Sequence, residues 1–260
     1  MSQPAPSRPP ARDLLKGKTA VITAAAGAGI GFAAASRFAE EGAELLISDI
    51  HPRRLGEAAE KLAAETGRKP ATLLCDVSDN AQVEALEAEA RRVLGDVDIV
   101  VNNAGLGTSN AIVEMTDEQW SRVIDVTLTS VFRMSRAFLP AMYARKSGVM
   151  VNNASVLGWR AQPLQAHYAA AKAGVMAFTR CAAIEAAEHG VRVNAVAPSI
   201  AMHEFLSRSA DADFLAQLTA REAFGRAAEP WEVANVMLFL ASDLSSYMTG
   251  EVVSVSSQRA

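Results

Sequence analysis

The stretch "HYAAAKAGV" puts a phenol, Tyr168, and an amine, Lys172, four positions apart in a segment of helical composition. At that spacing both side chains share one helix face, so an ammonium can stand beside a phenol and favour its ionised form. A tyrosine held this way can exchange a proton near neutrality. Thirteen residues before Tyr168, Ser155 closes the apolar run "GVMVNNAS" and offers a hydroxyl that could hold a substrate oxygen. A Tyr–Lys pair alone occurs on many helices without chemistry. The serine makes the triple far more specific.

A second constellation lies in "VITAAAGAGIGFAAA", where Gly27, Gly29, Ile30 and Gly31 fall between a strand-like run and a helix-like one. Backbone N–H groups at a helix start can face a pyrophosphate, and glycine lets the chain approach it closely. The same glycines would also serve a tight turn with no ligand. Ala24, Ala25 and Ala26 occupy places where such a turn often has its first glycine, and alanine fits there only if the backbone avoids a positive φ. Asp49 ends the next apolar run, eighteen residues after Gly31. A carboxylate there can accept the ribose hydroxyls of NAD and repel the 2′-phosphate of NADP, although a turn or helix cap would use aspartate too. Arg53 and Arg54 read as a solvated helix start. Ala28 and Ile50 are neutral, so NAD is expected rather than NADP.

The elements that must position these groups follow from the alternation of short apolar runs with helical segments. "KTAVITA", "AELLISDI", "ATLLCDV", "VDIVVNN", "GVMVNNAS", "VRVNAVAP" and "GEVVSVSS" are separated by helix-like stretches such as Phe32 to Glu41 and Arg54 to Glu65. Strands that alternate with helices predict right-handed crossovers and a parallel sheet covered on both faces. The expectation is a single-domain α/β, Rossmann-type doubly wound sheet of about seven strands over residues 15–260, preceded by a flexible tail at 1–14. From Ser199 to Arg226 the rhythm lapses in a long excursion, read as a substrate lid.

Composition narrows the function classes. The 25 basic and 29 acidic residues give a net charge of −4 without a basic block, which excludes nucleic acid and anionic membranes as expected partners. Cys75 and Cys181 are the two cysteines, and no CxxC or histidine cluster suggests a metal, so a reducing cytoplasm is expected. The longest uncharged run, Thr19 to Ser36, is broken by glycines and is not read as a membrane span.

With these motifs together, the chain resembles a short-chain dehydrogenase/reductase from Leu15 to Ser256. The resemblance implies that Ser155 polarises the carbonyl or alcohol oxygen, that Tyr168 donates or takes its proton, and that Lys172 lowers the tyrosine pKa and binds the nicotinamide ribose. It implies an NAD site at Gly27, Gly29, Ile30, Gly31 and Asp49. Asp76 and Val77 of "CDVSD" would meet the adenine ring, and Asn103, Ala104 and Gly105 of "NNAG" the adenine ribose. Pro198, Ser199 and Ile200 would lie near the nicotinamide. "FLASDLSSYMTGEVVSV" matches a segment that commonly builds a homotetramer interface.

Three departures accompany it. Thr127 in "VIDVTLTS" stands where the family usually has a catalytic asparagine, and threonine offers less reach. Pro198 is followed by Ser199 rather than glycine, with His203 at a usual threonine position. The end "SVSSQRA" lacks the frequent Asp-Gly-Gly. The expected substrate wall comprises Val156, Leu157, Trp159, Arg160, His167 and His203. "NNASVLGWRAQPLQAHYAAAKAGVMAFTR", with "AAAGAGIG", "VTLTS" and "PSIA", resembles a branch of bacterial steroid-degradation enzymes acting on the ring hydroxyl of a bicyclic indane-type acyl-CoA. The expected activity is therefore NAD-dependent oxidation of that alcohol, with the reverse reduction available. Two rival readings are a 3-oxoacyl thioester reductase or 3-hydroxyacyl-CoA dehydrogenase on linear chains, and a catalytically silent NAD-binding regulator.

Overall fold

The computed structural model describes residues 3–202 and 212–258. Seven parallel strands form one sheet in the order β3-β2-β1-β4-β5-β6-β7: β1 Thr19–Ile22, β2 Glu44–Asp49, β3 Ala71–Leu74, β4 Ile99–Asn102, β5 Gly148–Asn153, β6 Val191–Pro198 and β7 Val252–Val255. Each arises from one of the seven apolar runs. The strands at the centre are buried on both faces, as their unbroken apolar sequences require.

The helices are α1 Ile30–Glu40, α2 Pro52–Thr66, α3 Asn80–Leu94, α4 Asp117–Ile124, α5 Ser130–Arg145, α6 Ala166–Ala187, α7 Ala212–Ala220 and α8 Pro230–Ala241. One core layer packs Phe38 of α1, Leu62 of α2 and Val233, Met237 and Leu240 of α8 against the sheet. The opposite layer uses Leu86 of α3, Met134 and Phe138 of α5 and Ala183 of α6. The sheet is thus doubly wound. Strand order reverses between β1 and β4, because β1 is flanked by β2 on one side and β4 on the other. Loops leaving the carboxyl ends of those two strands diverge to opposite faces and open a crevice between them.

Arg8, Arg12 and Leu14, within the stretch 1–14 expected as a flexible tail, make specific bonds to the end of α1. Glu41, fully buried, accepts from the backbone N–H groups of Arg12 at 2.9 Å and Leu14 at 3.0 Å and pairs with Arg37 at 2.7 Å. Arg8 pairs with Glu40 at 3.0 Å. A buried carboxylate needs such donors, so the segment and α1 stabilise one another. Of the excursion from Ser199 to Arg226, the described part holds α7 and two bridges, Ala201 with Ala228 and Glu222 with Gln258. His203 lies outside the described residues.

Candidate active site

The glycine loop runs from β1 into α1 at the crevice. Gly29 is the N-cap of α1, no side chain caps that end, and no acidic residue occupies the first turn. The first N–H groups of α1 are therefore free for an anion. Gly27 has φ +92, a conformation that glycine adopts without penalty. Gly31 serves packing instead: a Cβ there would fall 2.3 Å from the Ala24 carbonyl oxygen and 2.4 Å from Asn103 Nδ2.

The alanine-rich entrance differs from the sequence expectation. Ala24 has φ +51, so the place that follows Thr23 does take the left-handed conformation, and an alanine tolerates it. Two bonds hold it there. Asn103 Nδ2 donates to the carbonyls of Thr23 at 3.2 Å and Ala24 at 3.1 Å. Thr23 Oγ1 in turn accepts from the N–H groups of Asn103 at 3.0 Å and Ala104 at 3.2 Å, tying β1 to the segment after β4. Gly31→Ala is expected to push this junction apart, lower Tm by several degrees and weaken cofactor binding. Overpacking of this kind costs about 1–3 kcal/mol, and a thermal melt with and without cofactor measures it.

Asp49 closes β2 beside the loop. Its Oδ2 accepts from the Ala26 N–H at 3.2 Å and its Oδ1 from the His51 N–H at 3.1 Å. Burial raises its pKa above the ordinary carboxylate value, and the Ala26 N–H, Arg54 and the Ile50 N–H counteract this. Each carboxylate oxygen keeps acceptor capacity for a ribose hydroxyl. Asp76 is half-buried and accepts from the Ser78 N–H at 2.9 Å and hydroxyl at 2.6 Å, whereas Val77 is buried in the core.

The chemistry-bearing triple gathers at the end of β5. Ser155 stands two residues past the strand and caps a short turn, Val156–Gly158, by accepting from the Leu157 N–H at 3.2 Å. Ser155 pulls the Tyr168 phenol pKa down, and Lys172 Nζ lies 5.5 Å from the centre of the tyrosine ring. Lys172 donates to the carbonyl of Asn153. Burial pushes the Tyr168 phenol up to about 12 against the pull of Ser155, and burial pushes the Lys172 amine down to about 7. Both charged forms are penalised by desolvation.

Thr127 sits in a π-turn, Asp125–Thr129, between α4 and α5, and is fully buried. Its hydroxyl accepts from the Leu106 N–H at 3.0 Å and donates to the Leu106 carbonyl at 3.3 Å. The hydroxyl is thereby spent on the loop after β4. Gly105 lies between it and the lysine: a Cβ there would stand 3.3 Å from Lys172 Nζ and 3.9 Å from Thr127 Cγ2.

Other expected site residues separate into groups. Ala104 packs in the core layer of α3 and α5, and Gly105 stands against Lys172 and Thr127. Pro198 ends β6, Ser199 N–H donates to Val255, and the Ile200 carbonyl accepts from Ala228. Val156 is core, Leu157 is half-buried and Trp159 is 51% exposed. Arg160 donates to Gln258, and both line a cavity of about 850 Å³ with Leu157, Gln162 and Glu222. His167 is fully buried. Its Nδ1 accepts from the Tyr168 N–H at 2.9 Å and its Nε2 meets Thr108 Oγ1 at 2.7 Å, so it anchors the loop after β4 to the start of α6. The π-turn, this anchor and Asn153 had no counterpart in the sequence reading; the only signal for the last was the doublet "NN", which recurs where β4 and β5 end.

The family model described as enoyl-(acyl carrier protein) reductase matches residues 24–257. The chain is 59% identical over 255 residues, 98% of its length and 97% of the relative, to the (5R,7aS)-5-hydroxy-7a-methyl-1-oxo-2,3,5,6,7,7a-hexahydro-1H-indene-carboxyl-CoA reductase of Mycobacterium tuberculosis. It is 36% identical over 240 residues, 92% of its length and 96% of the relative, to the 3-oxoacyl-(acyl-carrier-protein) reductase of Escherichia coli. A solved short chain dehydrogenase from Mycobacterium smegmatis is 55% identical and superposes with a TM-score of 0.87, covering 99% of both chains.

Proposed function

The chain belongs to the short-chain dehydrogenase/reductase family, and from that premise we propose that it interconverts a ketone and a secondary alcohol on the ring of a bicyclic, indane-type acyl-CoA, with NAD as cofactor. The observation that carries the oxidoreductase reading is the convergence of Ser155, Tyr168 and Lys172 beside a glycine-built helix start. The ring substrate rests on the 59% identity to the Mycobacterium tuberculosis reductase. The uncapped N-terminus of α1, the glycines and Asp49 fit a dinucleotide. When bound, its nicotinamide supplies or accepts the hydride.

The protein groups do the rest. Ser155 holds the substrate oxygen. Tyr168 gives its proton to that oxygen as the alcohol forms and recovers it in the reverse direction. A phenol with its pKa raised to about 12 is protonated at neutral pH, the form from which reduction starts. Lys172 stands 5.5 Å from the centre of the tyrosine ring and would hold the nicotinamide ribose. Assembly as a homotetramer would cover the exposed Leu244 and Tyr247.

The deciding measurement is NADH oxidation with matched bicyclic and linear oxoacyl-CoA substrates, each beside its free acid. Higher kcat/KM on the bicyclic thioester is expected. Preference for the linear chain would move the assignment to an oxoacyl thioester reductase, in keeping with the 36% identity to the Escherichia coli enzyme. Asp49→Ser tests the cofactor: kcat/KM with NAD is expected to fall at least about tenfold, by the loss of one charge-assisted bond of about 1.5–3 kcal/mol, while that with NADP rises. A wild type that prefers NADP would overturn the assignment.

A further inference from the structure

The same doublet stands at the ends of β4 and β5: Asn102 closes β4 with Asn103 just after it, Asn152-Asn153 closes β5, and Asn102 pairs with Asn152 in parallel register. Successive strand residues face opposite sides of the sheet, so the doublets form two amide pairs, one on each side. On one side Asn102 Nδ2 donates to Asn152 Oδ1 at 2.8 Å, and Asn152 Nδ2 to Thr179 of α6 at 2.9 Å. On the other, Asn153 Nδ2 donates to Asn103 Oδ1 at 2.9 Å, and Asn103 Nδ2 carries the link on to the Thr23 and Ala24 carbonyls. The backbone carbonyl of Asn153 accepts from Lys172 Nζ. One residue thus touches the clamp on the glycine-loop entrance with its side chain and the lysine with its main chain.

We propose that Asn153 is a positioning residue that holds the glycine-loop entrance in register with Lys172, so that the two ends of the dinucleotide are located by one amide. This rests on reading the crevice as a dinucleotide site. The placement is not what packing alone would select. Asn153 Oδ1 is buried without a partner, and a strand end favours a β-branched aliphatic residue. Asn153→Val removes that orphan acceptor and leaves the carbonyl that Lys172 uses, so the fold should tolerate it while the side-chain link is lost.

The test is binding and kinetics on the full chain carrying Asn153→Val. Dissociation constants for ADP-ribose and NADH, and KM for the cofactor, are expected to rise about tenfold, the scale of one lost hydrogen bond. The expected fall in kcat is less than about threefold, and the shift in Tm is a few degrees at most. Asn103→Ala should give a similar rise, and the double variant no further one, because both break a single chain of bonds. Asn153→Ser, too short to reach Asn103, repeats the measurement if the valine variant fails to fold. Unchanged ADP-ribose affinity in a folded variant, or additive effects in the double variant, would reduce Asn153 to packing. Failure of the wild type to bind ADP-ribose would instead remove the dinucleotide reading.

Discussion

Replacing Tyr168 by phenylalanine is expected to lower kcat by about 10²–10⁴-fold, the range of a general acid in place, with cofactor affinity changed less than about threefold. The substitution deletes one hydroxyl. The ring keeps its packing, including the approach of Gly107, where a Cβ would lie 3.6 Å from the tyrosine ring. Ser155 retains the Leu157 N–H as a donor, so the turn that carries it stays in place. Loss of rate without loss of binding therefore isolates the proton. Single-turnover measurement at saturating cofactor reads it directly. A fall of less than tenfold would mean that another group moves the proton. A wild type that binds cofactor yet turns over no member of a broad ketone and alcohol panel would favour the silent regulator.

Lys172→Met is expected to have effects of opposite sign on stability and on activity. The amine is 2% exposed and has a carbonyl rather than a carboxylate against it. Below pH 7 this lysine is charged in both folded and unfolded chains, and the full cost of burying that charge weighs on the fold. Between about 7 and the ordinary 10.5, the unfolded chain holds a proton that the folded chain lacks, so stability rises with pH. Tyr168 acts the other way at higher pH: the unfolded phenol ionises from 10 while the folded one waits until about 12, so stability falls across that interval. The cofactor-free wild type should gain on the order of a few kcal/mol from pH 6 to 10. Methionine should remove the rise, raise Tm at pH 6, and still lower kcat at least about hundredfold. Thermal melts across pH 6–10 provide the comparison. An equal slope in the methionine variant would assign the titration to another group.

Much of this architecture was legible because periodicity reports burial. Seven apolar runs became seven strands, and the alternation with helices fixed the parallel, doubly wound sheet. The triple was legible for a similar reason, since a helix turns Tyr168 and Lys172 to one face whatever lies around them. What escaped depended on long-range partners. That Thr127 spends its hydroxyl on Leu106, twenty-one residues away, cannot be read from residue type. That the segment before β1 is held by Glu41 required knowing that this carboxylate is buried. The pKa of Lys172 escaped too, because spacing gives proximity to a phenol but says nothing of how much water has left.

The alanines at the loop entrance carry a consequence for the unfolded chain and for recognition. Glycine surrenders more backbone freedom on ordering than alanine does. Ala25 and Ala26 leave a narrower set of conformations to be lost, and Ala24 is held in its left-handed turn by Asn103 against the preference of an alanine. A phosphate arriving at α1 thus meets a rim that is already shaped, and less of the attraction is consumed in ordering it. The residues that made this turn look ill-suited to a dinucleotide are the ones that pre-organise it.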